Sequence, residues 1–175
     1  METMTGHNCR DSRVERFATE DEPFHFVDSG LPNVYLIGIR YFTCDCGSVA
    51  AEIPAVKQLM QLIARDLVEG HQSLTGAEVR FLRKRLGRKA TEFSKELGIE
   101  PETLSRLETE KQPLTEPMDK LIRLVYAVSS EDRELIQRVA GAVKTWLVRW
   151  PERTEGQKIV KRIDANEWSD AAIAA

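Results

Sequence analysis

Residues 90–108 read ATEFSKELGIEPETLSRLE and carry the clearest structural signal in the chain. Apolar side chains recur at helical spacing on both sides of Gly98. A glycine tolerates the positive φ of a sharp turn, and the small Ser94 lets a second helix approach the first closely. The stretch therefore predicts two short helices joined by a tight turn. The outward positions of the second helix are all polar: Glu102, Thr103, Ser105 and Arg106.

Further helices are predicted on both sides of this stretch. Thr75 and Glu78 have the spacing of a capping box, which starts a helix ahead of it. Another helix begins near Pro117, and a longer one covers residues 131–150. The longer helix carries an apolar stripe made of Leu135, Val139, Val143, Trp146 and Trp150. We interpret the stripe as a dimer seam, with packing on its own bundle as the alternative.

The N-terminal part of the chain has the composition of β-structure followed by a helix. Residues 24–27 and 34–42 are rich in aromatic and β-branched side chains and predict strands. These strands are too few to form a stable sheet by themselves, so they need either a stabilising link within the chain or a partner chain. Pro54 then opens an amphipathic helix, which is predicted to end at Gly70.

The distribution of charge separates three blocks. The 175 residues contain 25 basic and 28 acidic side chains, a net charge of −3, which excludes a protein that coats nucleic acid by bulk charge. Residues 1–72 have 6 basic and 11 acidic side chains, residues 73–128 have 11 and 9, and residues 129–175 have 8 of each. Only the middle block is positive, and a solvated helix face is the simplest account of that excess.

Common enzyme signatures are absent from the sequence. It contains no GxxxxGK[ST], GxGxxG, HExxH or GxSxG pattern, so we do not expect an enzyme. It also contains neither an apolar run long enough to cross a membrane nor the basic and apolar pattern of a secretory signal. We therefore expect a cytoplasmic protein with no membrane partner.

Residues 75–128 resemble the bacterial Xre/Cro/phage-repressor helix-turn-helix family. The matching features are Arg83, the stretch from Phe93 to Gly98, and the run from Ser105 to Glu108. The resemblance implies a lambda-repressor-like helical domain, an ion pair between Arg83 and Glu108, and a recognition helix that enters the DNA major groove. The DNA-contacting residues that follow are Arg88, Lys89, Thr91, Glu102, Thr103, Ser105, Arg106 and Lys111.

Two positions depart from the pattern of that family. Ala90 stands where a phosphate-binding glutamine is common, and Arg88 and Lys89 are the replacements that we expect. Glu102 stands where an amide is common and cannot donate to adenine. It either accepts from cytosine N4 or holds Arg106 in place.

Residues 7–128 also resemble YgiT/MqsA-type regulators and antitoxins, in which a small zinc-ribbon module precedes an Xre-type domain. That family binds structural zinc through two CxxC pairs, but here Gly6 occupies one ligand position and the second pair is Cys44-x-Cys46. Structural zinc needs four N or S ligands. One zinc per chain would be held by His7, Cys9, Cys44 and Cys46. The alternative is a zinc-binding motif that has lost its metal, with cysteines that are held by packing.

These features predict a mainly α protein with a small β N-terminal module (α+β) and five regions. The regions are a zinc-ribbon-like module at 1–53, a linker helix at 54–72, an Xre-type helix-turn-helix domain at 73–128, a C-terminal helix for dimerisation at 129–150 and a loosely ordered tail at 151–175.

The function that we expect is sequence-specific transcription regulation by a homodimer on an inverted repeat of double-stranded DNA. The alternative is an antitoxin of a type II toxin–antitoxin pair, which binds its toxin through the acidic N-terminal module and autoregulates its operon. A neighbouring gene for a small toxin would distinguish the two functions.

Overall fold

A computed structural model of the chain describes residues 13–70, 72–142, 157–164 and 167–171. In these residues the protein is mixed α/β, roughly 46% helical and 21% strand. The strands are β1 (Arg13–Phe17), β2 (Phe24–His25), β3 (Val34–Ile37), β4 (Arg40–Cys44), β5 (Val49–Glu52), β6 (Ile159–Asp164) and β7 (Glu167–Asp170). The helices are α1 (Val56–Glu69), α2 (Gly76–Arg85), α3 (Ala90–Glu96), α4 (Pro101–Glu108), α5 (Glu116–Ser129) and α6 (Arg133–Ala142). None of these described helices is long and apolar enough to span a bilayer.

The strands form two sheets rather than one N-terminal module. An antiparallel sheet has the order β1-β4-β5, and a second sheet has the order β2-β3-β6-β7. The strand predicted over residues 34–42 is divided between the two sheets at Gly38, which has a φ of 86°. A Cβ at Gly38 would lie 2.6 Å from the carbonyl oxygen of Ile163, so only glycine fits this crossing point.

The prediction of a loosely ordered tail at 151–175 is wrong for the part of the tail that the structure describes. β6 pairs in parallel with β3, with Val34 opposite Ile159, and β7 pairs with β6 as a hairpin. This pairing supplies the missing support for the N-terminal strands from within the same chain. β6 and β7 are too short and too polar for an alternation of apolar and polar side chains to indicate strands. The partner of β6, β3, also lies far away in sequence.

The predicted linker helix at 54–72 lies in the core. It begins at Val56, two residues after Pro54, and ends at Glu69 with Gly70 as its cap. Leu59, Ile63 and Ala64 are fully buried, and α1 packs against α2, α5, α6 and β7. α1 therefore connects three of the other helices with the C-terminal strands.

The first half of the apolar stripe predicted as a dimer seam is used inside the chain. Leu135 and Val139 on α6 are 1% and 2% exposed. This agrees with packing on its own bundle, the alternative interpretation of the stripe. Val143, Trp146 and Trp150 lie outside the described residues.

Candidate functional site

α2 is fixed at its start by the predicted capping box. The Thr75 hydroxyl accepts from the Glu78 N–H at 3.2 Å, and the Glu78 carboxylate accepts from the Thr75 N–H at 2.8 Å. The first helical residue, Gly76, touches the end of α4, because a Cβ there would lie 2.5 Å from the carbonyl oxygen of Leu107. The start of α2 and the end of α4 are thus in direct contact.

α3 and α4 form the predicted pair of short helices joined by a tight turn. Gly98 in the turn has a φ of 68°. Ser94 is fully buried at the contact between the helices, and its hydroxyl donates to the Thr91 carbonyl at 3.2 Å. Leu104 and Leu107 face inward from α4 and are buried. The opposite side of α4 therefore faces solvent.

The ion pair between Arg83 and Glu108, which the resemblance implies, is confirmed. The Arg83 Nε lies 2.6 Å from Glu108 Oε1, and its Nη2 donates to Oε2 at 2.9 Å. Arg80 adds a third contact to Glu108 at 3.3 Å. Hydrogen bonding to Glu108 raises the pKa of the Arg83 guanidinium. A bidentate, nearly buried pair of this kind fixes both position and orientation, so it locks the end of α4 onto α2.

The outer side of α4 borders an open groove of about 480 Å³. Four of the predicted DNA-contacting residues line this groove: Glu102, Ser105, Arg106 and Lys111. Arg106 is exposed, and no carboxylate of the described chain forms an ion pair with its guanidinium. Thr103 lies on the same helix and is half-buried. The groove thus presents one unneutralised arginine on a rigid helix.

The remaining predicted contacts lie beside the start of α3. Lys89 and Thr91 are exposed there, and the Lys89 N–H donates to the Glu92 carboxylate at 2.9 Å. Arg88 already pairs with Glu96 at 2.8 Å, and its carbonyl accepts from Arg83 at 3.0 Å. Arg88 is therefore less available for a ligand than Lys89.

The predicted metal ligands are only partly within the described chain. Cys44 is the last residue of β4, and Cys46 lies in the turn to β5, where its thiol donates to the Ser48 hydroxyl at 3.2 Å. His7 and Cys9 lie outside the described residues. Among residues 13–70, 72–142, 157–164 and 167–171, no three potential ligands are grouped around one point. The described residues include two of the four ligands that a tetrahedral zinc site needs, and zinc stays a prediction.

Metal analysis of the purified protein checks this prediction. If the four residues form a site, we expect about one zinc per chain, and removal of the metal by a chelator unfolds the N-terminal strands selectively. The Cys46→Ser variant then loses the metal, whereas Ser48→Ala, two residues away, retains it. Negligible zinc, together with a melting temperature that chelation does not change, would show that the motif no longer binds metal.

A buried ion pair beneath these helices was not predicted. Arg123 and Asp119 on α5 have fully or almost fully buried side chains, and the Arg123 Nε donates to Asp119 at 2.5 Å. Arg123 also donates to the carbonyls of Leu67, Gly70 and Gln72 at the end of α1. An Asp and an Arg four residues apart are usual on a solvent-facing helix surface, so their spacing does not reveal their burial.

Lys161 is a second buried charge that was not predicted. Its side chain on β6 is fully buried and donates to Asp66 on α1 and Asp170 on β7. Burial raises the pKa of the Asp66 carboxyl, although the hydrogen bond from Lys161 opposes this effect. The three residues join the C-terminal strands to the central helix.

No protein-family model, curated protein or solved structure matches this chain. The strongest feature is the open groove along α4, because its inner side is fixed by buried contacts and its outer side carries polar groups.

Proposed function

We propose that the protein is a sequence-specific DNA-binding transcription regulator that reads the major groove with the outer side of α4. The observation that carries this proposal is the exposed Arg106 guanidinium, which has no ion-pair partner in the described chain. An arginine fork matches O6 and N7 of guanine, and the major groove is wide enough for a helix. The buried Leu104 and Glu108 fix the position of α4, and recognition of DNA bases requires side chains on such a fixed helix.

The other groove residues have complementary roles in this proposal. Glu102 accepts from cytosine N4, and this role is favoured over holding Arg106 because the described chain contains no ion pair between the two. Ser105 contacts a base edge or the backbone. Lys111, in the turn after α4, and Lys89 contact phosphates, which position the helix without reading sequence.

We further infer that the regulator acts as a homodimer on an inverted repeat. Two α4 helices would then occupy successive major grooves on one face of the duplex, about 34–36 Å apart. A dimer doubles the number of base contacts, which a single eight-residue helix needs for useful specificity.

Substitution of Arg106 by alanine tests base reading. We expect Arg106→Ala to weaken binding to a selected operator by about 1–3 kcal/mol and to affect random DNA much less. We expect Lys111→Ala to weaken both DNAs equally and to make the dependence of log K on log salt shallower by about one. Fluorescence anisotropy over a series of salt concentrations measures both effects, after the operator has been selected from a random library.

The matched control is Arg133→Ala, which removes an exposed arginine from α6, away from the groove. This variant should bind both DNAs as the wild type does. If Arg106→Ala weakens operator and random DNA equally, Arg106 does not read a base. If the wild-type protein selects no DNA sequence at moderate salt, the proposed function is wrong.

A toxin-binding antitoxin is the second candidate function. The β1-β4-β5 sheet exposes three large apolar side chains, Val14, Phe17 and Val49, each at least 50% exposed, within the acidic N-terminal block. Residues 1–72 as a whole are acidic, and an acidic region with exposed apolar groups suits a basic protein partner. Stable copurification with the product of a neighbouring gene would favour this function, and operator binding would then serve autoregulation.

A further inference from the structure

A cavity of about 320 Å³ lies where α1, the end of α2, the end of α5 and the start of α6 come together. The described residues that line it are different from those that border the groove along α4. Its volume is within the range of small-molecule sites, at the lower end. Leu86 and Leu135 supply apolar surface, and Gln61, Ser129 and Ser130 supply hydrogen-bonding groups. The cavity therefore has the mixed lining that a small organic molecule requires.

Arg85, the last residue of α2, brings a positive charge to this cavity. No carboxylate of the described chain forms an ion pair with its guanidinium. Its neighbour is the hydroxyl of Tyr126, a residue that is 5% exposed. Burial raises the pKa of this hydroxyl, and the charge of Arg85 opposes the effect. The phenol is therefore neutral at pH 7 and leaves the charge of Arg85 available to an anion.

The second guanidinium of the cavity, that of Arg65, is already neutralised. Its Nε and Nη2 both lie 2.7 Å from Asp132 Oδ2, and both residues line the cavity. Glu134 lies 3.5 Å from Arg65 but also pairs with Arg138. Because Arg65 and Asp132 compensate each other, Arg85 gives the described lining a net charge of one positive unit.

We propose that this cavity binds a small organic acid, whose carboxylate pairs with Arg85 and whose apolar part contacts the leucines of the lining. A guanidinium can donate two parallel hydrogen bonds to a carboxylate, which gives direction as well as affinity. A monocarboxylate matches the single excess charge. The inference goes beyond the proposed function and does not depend on it, because the cavity is formed away from the α4 groove.

The position of Arg85 favours a small molecule over a DNA phosphate as its partner. The other lining groups come from α1, α5 and α6 and surround the space beside the guanidinium. A DNA duplex cannot enter a cavity of this size, whereas a small acid can contact α2 and α5 at once. A ligand that binds only the folded chain should therefore raise its melting temperature.

Benzoate is the probe for this site, and benzamide, which has nearly the same shape but no charge, is its matched control. We expect benzoate to bind the full chain with a Kd of about 1 mM or lower, and benzamide to bind at least about tenfold more weakly. In an NMR titration of the isotope-labelled protein, the backbone amides of Leu86, Ser129 and Ser130 should shift. The amide of Ser105 in the α4 groove should not shift.

Substitutions at two neighbouring cations separate a specific site from general attraction by charge. Arg85→Gln removes the charge and keeps a polar side chain, so the affinity for benzoate should fall at least about tenfold. Its melting temperature without ligand should change little because Arg85 is exposed. Lys84→Gln removes an exposed cation from the same helix outside the described lining, and it should bind benzoate as the wild type does.

A third variant is decisive if Arg85→Gln melts early because Tyr126 has lost its neighbour. Arg85→Lys keeps the charge and loses the paired donors of the guanidinium. It should fold as the wild type does and bind benzoate more weakly. Wild-type affinity in this variant would show that the guanidinium does not hold the carboxylate.

The proposal is overturned if the wild type binds benzoate with a Kd above about 10 mM, or if benzamide or inorganic phosphate binds as tightly. Amide shifts in the α4 groove rather than in the cavity would also overturn it. If benzoate does not bind and Arg85→Gln weakens operator and random DNA equally, Arg85 contacts a phosphate instead. Benzoate binding by a chain that selects no DNA would refute the proposed function and leave this site standing.

Discussion

Replacing Arg123 with methionine should lower the free energy of unfolding by about 3–5 kcal/mol, because it leaves a buried carboxylate without its countercharge. Asp119 is fully buried and would keep only the N–H of Leu74, at 2.6 Å, and the Ser73 hydroxyl, at 3.3 Å. The carbonyls at the end of α1 would lose their donor as well. Unpaired carbonyls at a helix end are costly when water cannot reach them.

Urea denaturation followed by circular dichroism measures this effect. The matched control is Arg133→Met, which makes the same replacement at an exposed position on α6 and should change stability little. The double variant Arg123→Met/Asp119→Leu should recover part of the loss because no buried charge remains. An Arg123→Met variant with the wild-type urea midpoint would show that the Asp119–Arg123 pair does not hold α5 to α1.

Replacing Trp168 with alanine should cost about 3–5 kcal/mol, the range for the loss of a large aromatic side chain from a core. Trp168 on β7 is 4% exposed, and its indole N–H donates to the Pro54 carbonyl at 2.8 Å. The substitution leaves a cavity beside α1 and removes the partner of that carbonyl. The result would show that the C-terminal strands are part of the cooperative unit.

The melting temperature and the urea midpoint of Trp168→Ala should both be lower than those of the wild type. The neighbouring Glu167→Ala variant is the control because Glu167 is exposed on the same strand, and we expect it to melt as the wild type does. If Trp168→Ala were as stable as the wild type, residues 157–171 would contribute no stability, and the tail expected from sequence would be the better description.

The helices around the candidate site were predictable because their signals are local. Thr75 and Glu78 are three residues apart, and their side chains satisfy backbone donors of the same turn. Gly98 adopts the positive φ that the tight turn requires, and the apolar residues of α4 repeat at helical spacing. The contact between Arg83 and Glu108 is not local, and only the resemblance to a known family led us to expect it.

The sheets could not be predicted in the same way. The sequence predicts one aromatic and β-branched strand over residues 34–42, but not its break at Gly38, which depends on the backbone of Ile163 across the fold. The pairing of β3 with β6 joins segments more than 120 residues apart. Nothing in either segment specifies that partner, because ladder hydrogen bonds use backbone groups that every residue shares.

From its residues alone this protein can be assigned a pair of short helices around Gly98, a capped helix before them and a polar outer face on α4, because hydrogen bonds and apolar periods within one or two turns produce these features. The placement of the buried charges depends on the assembled chain. Asp119, Arg123 and Lys161 look like ordinary surface residues until α1, α5 and β6 come together and remove them from water. A side chain is buried only when other parts of the chain pack around it, and here the contacts of Arg123 and Lys161 with α1 join segments more than 50 residues apart.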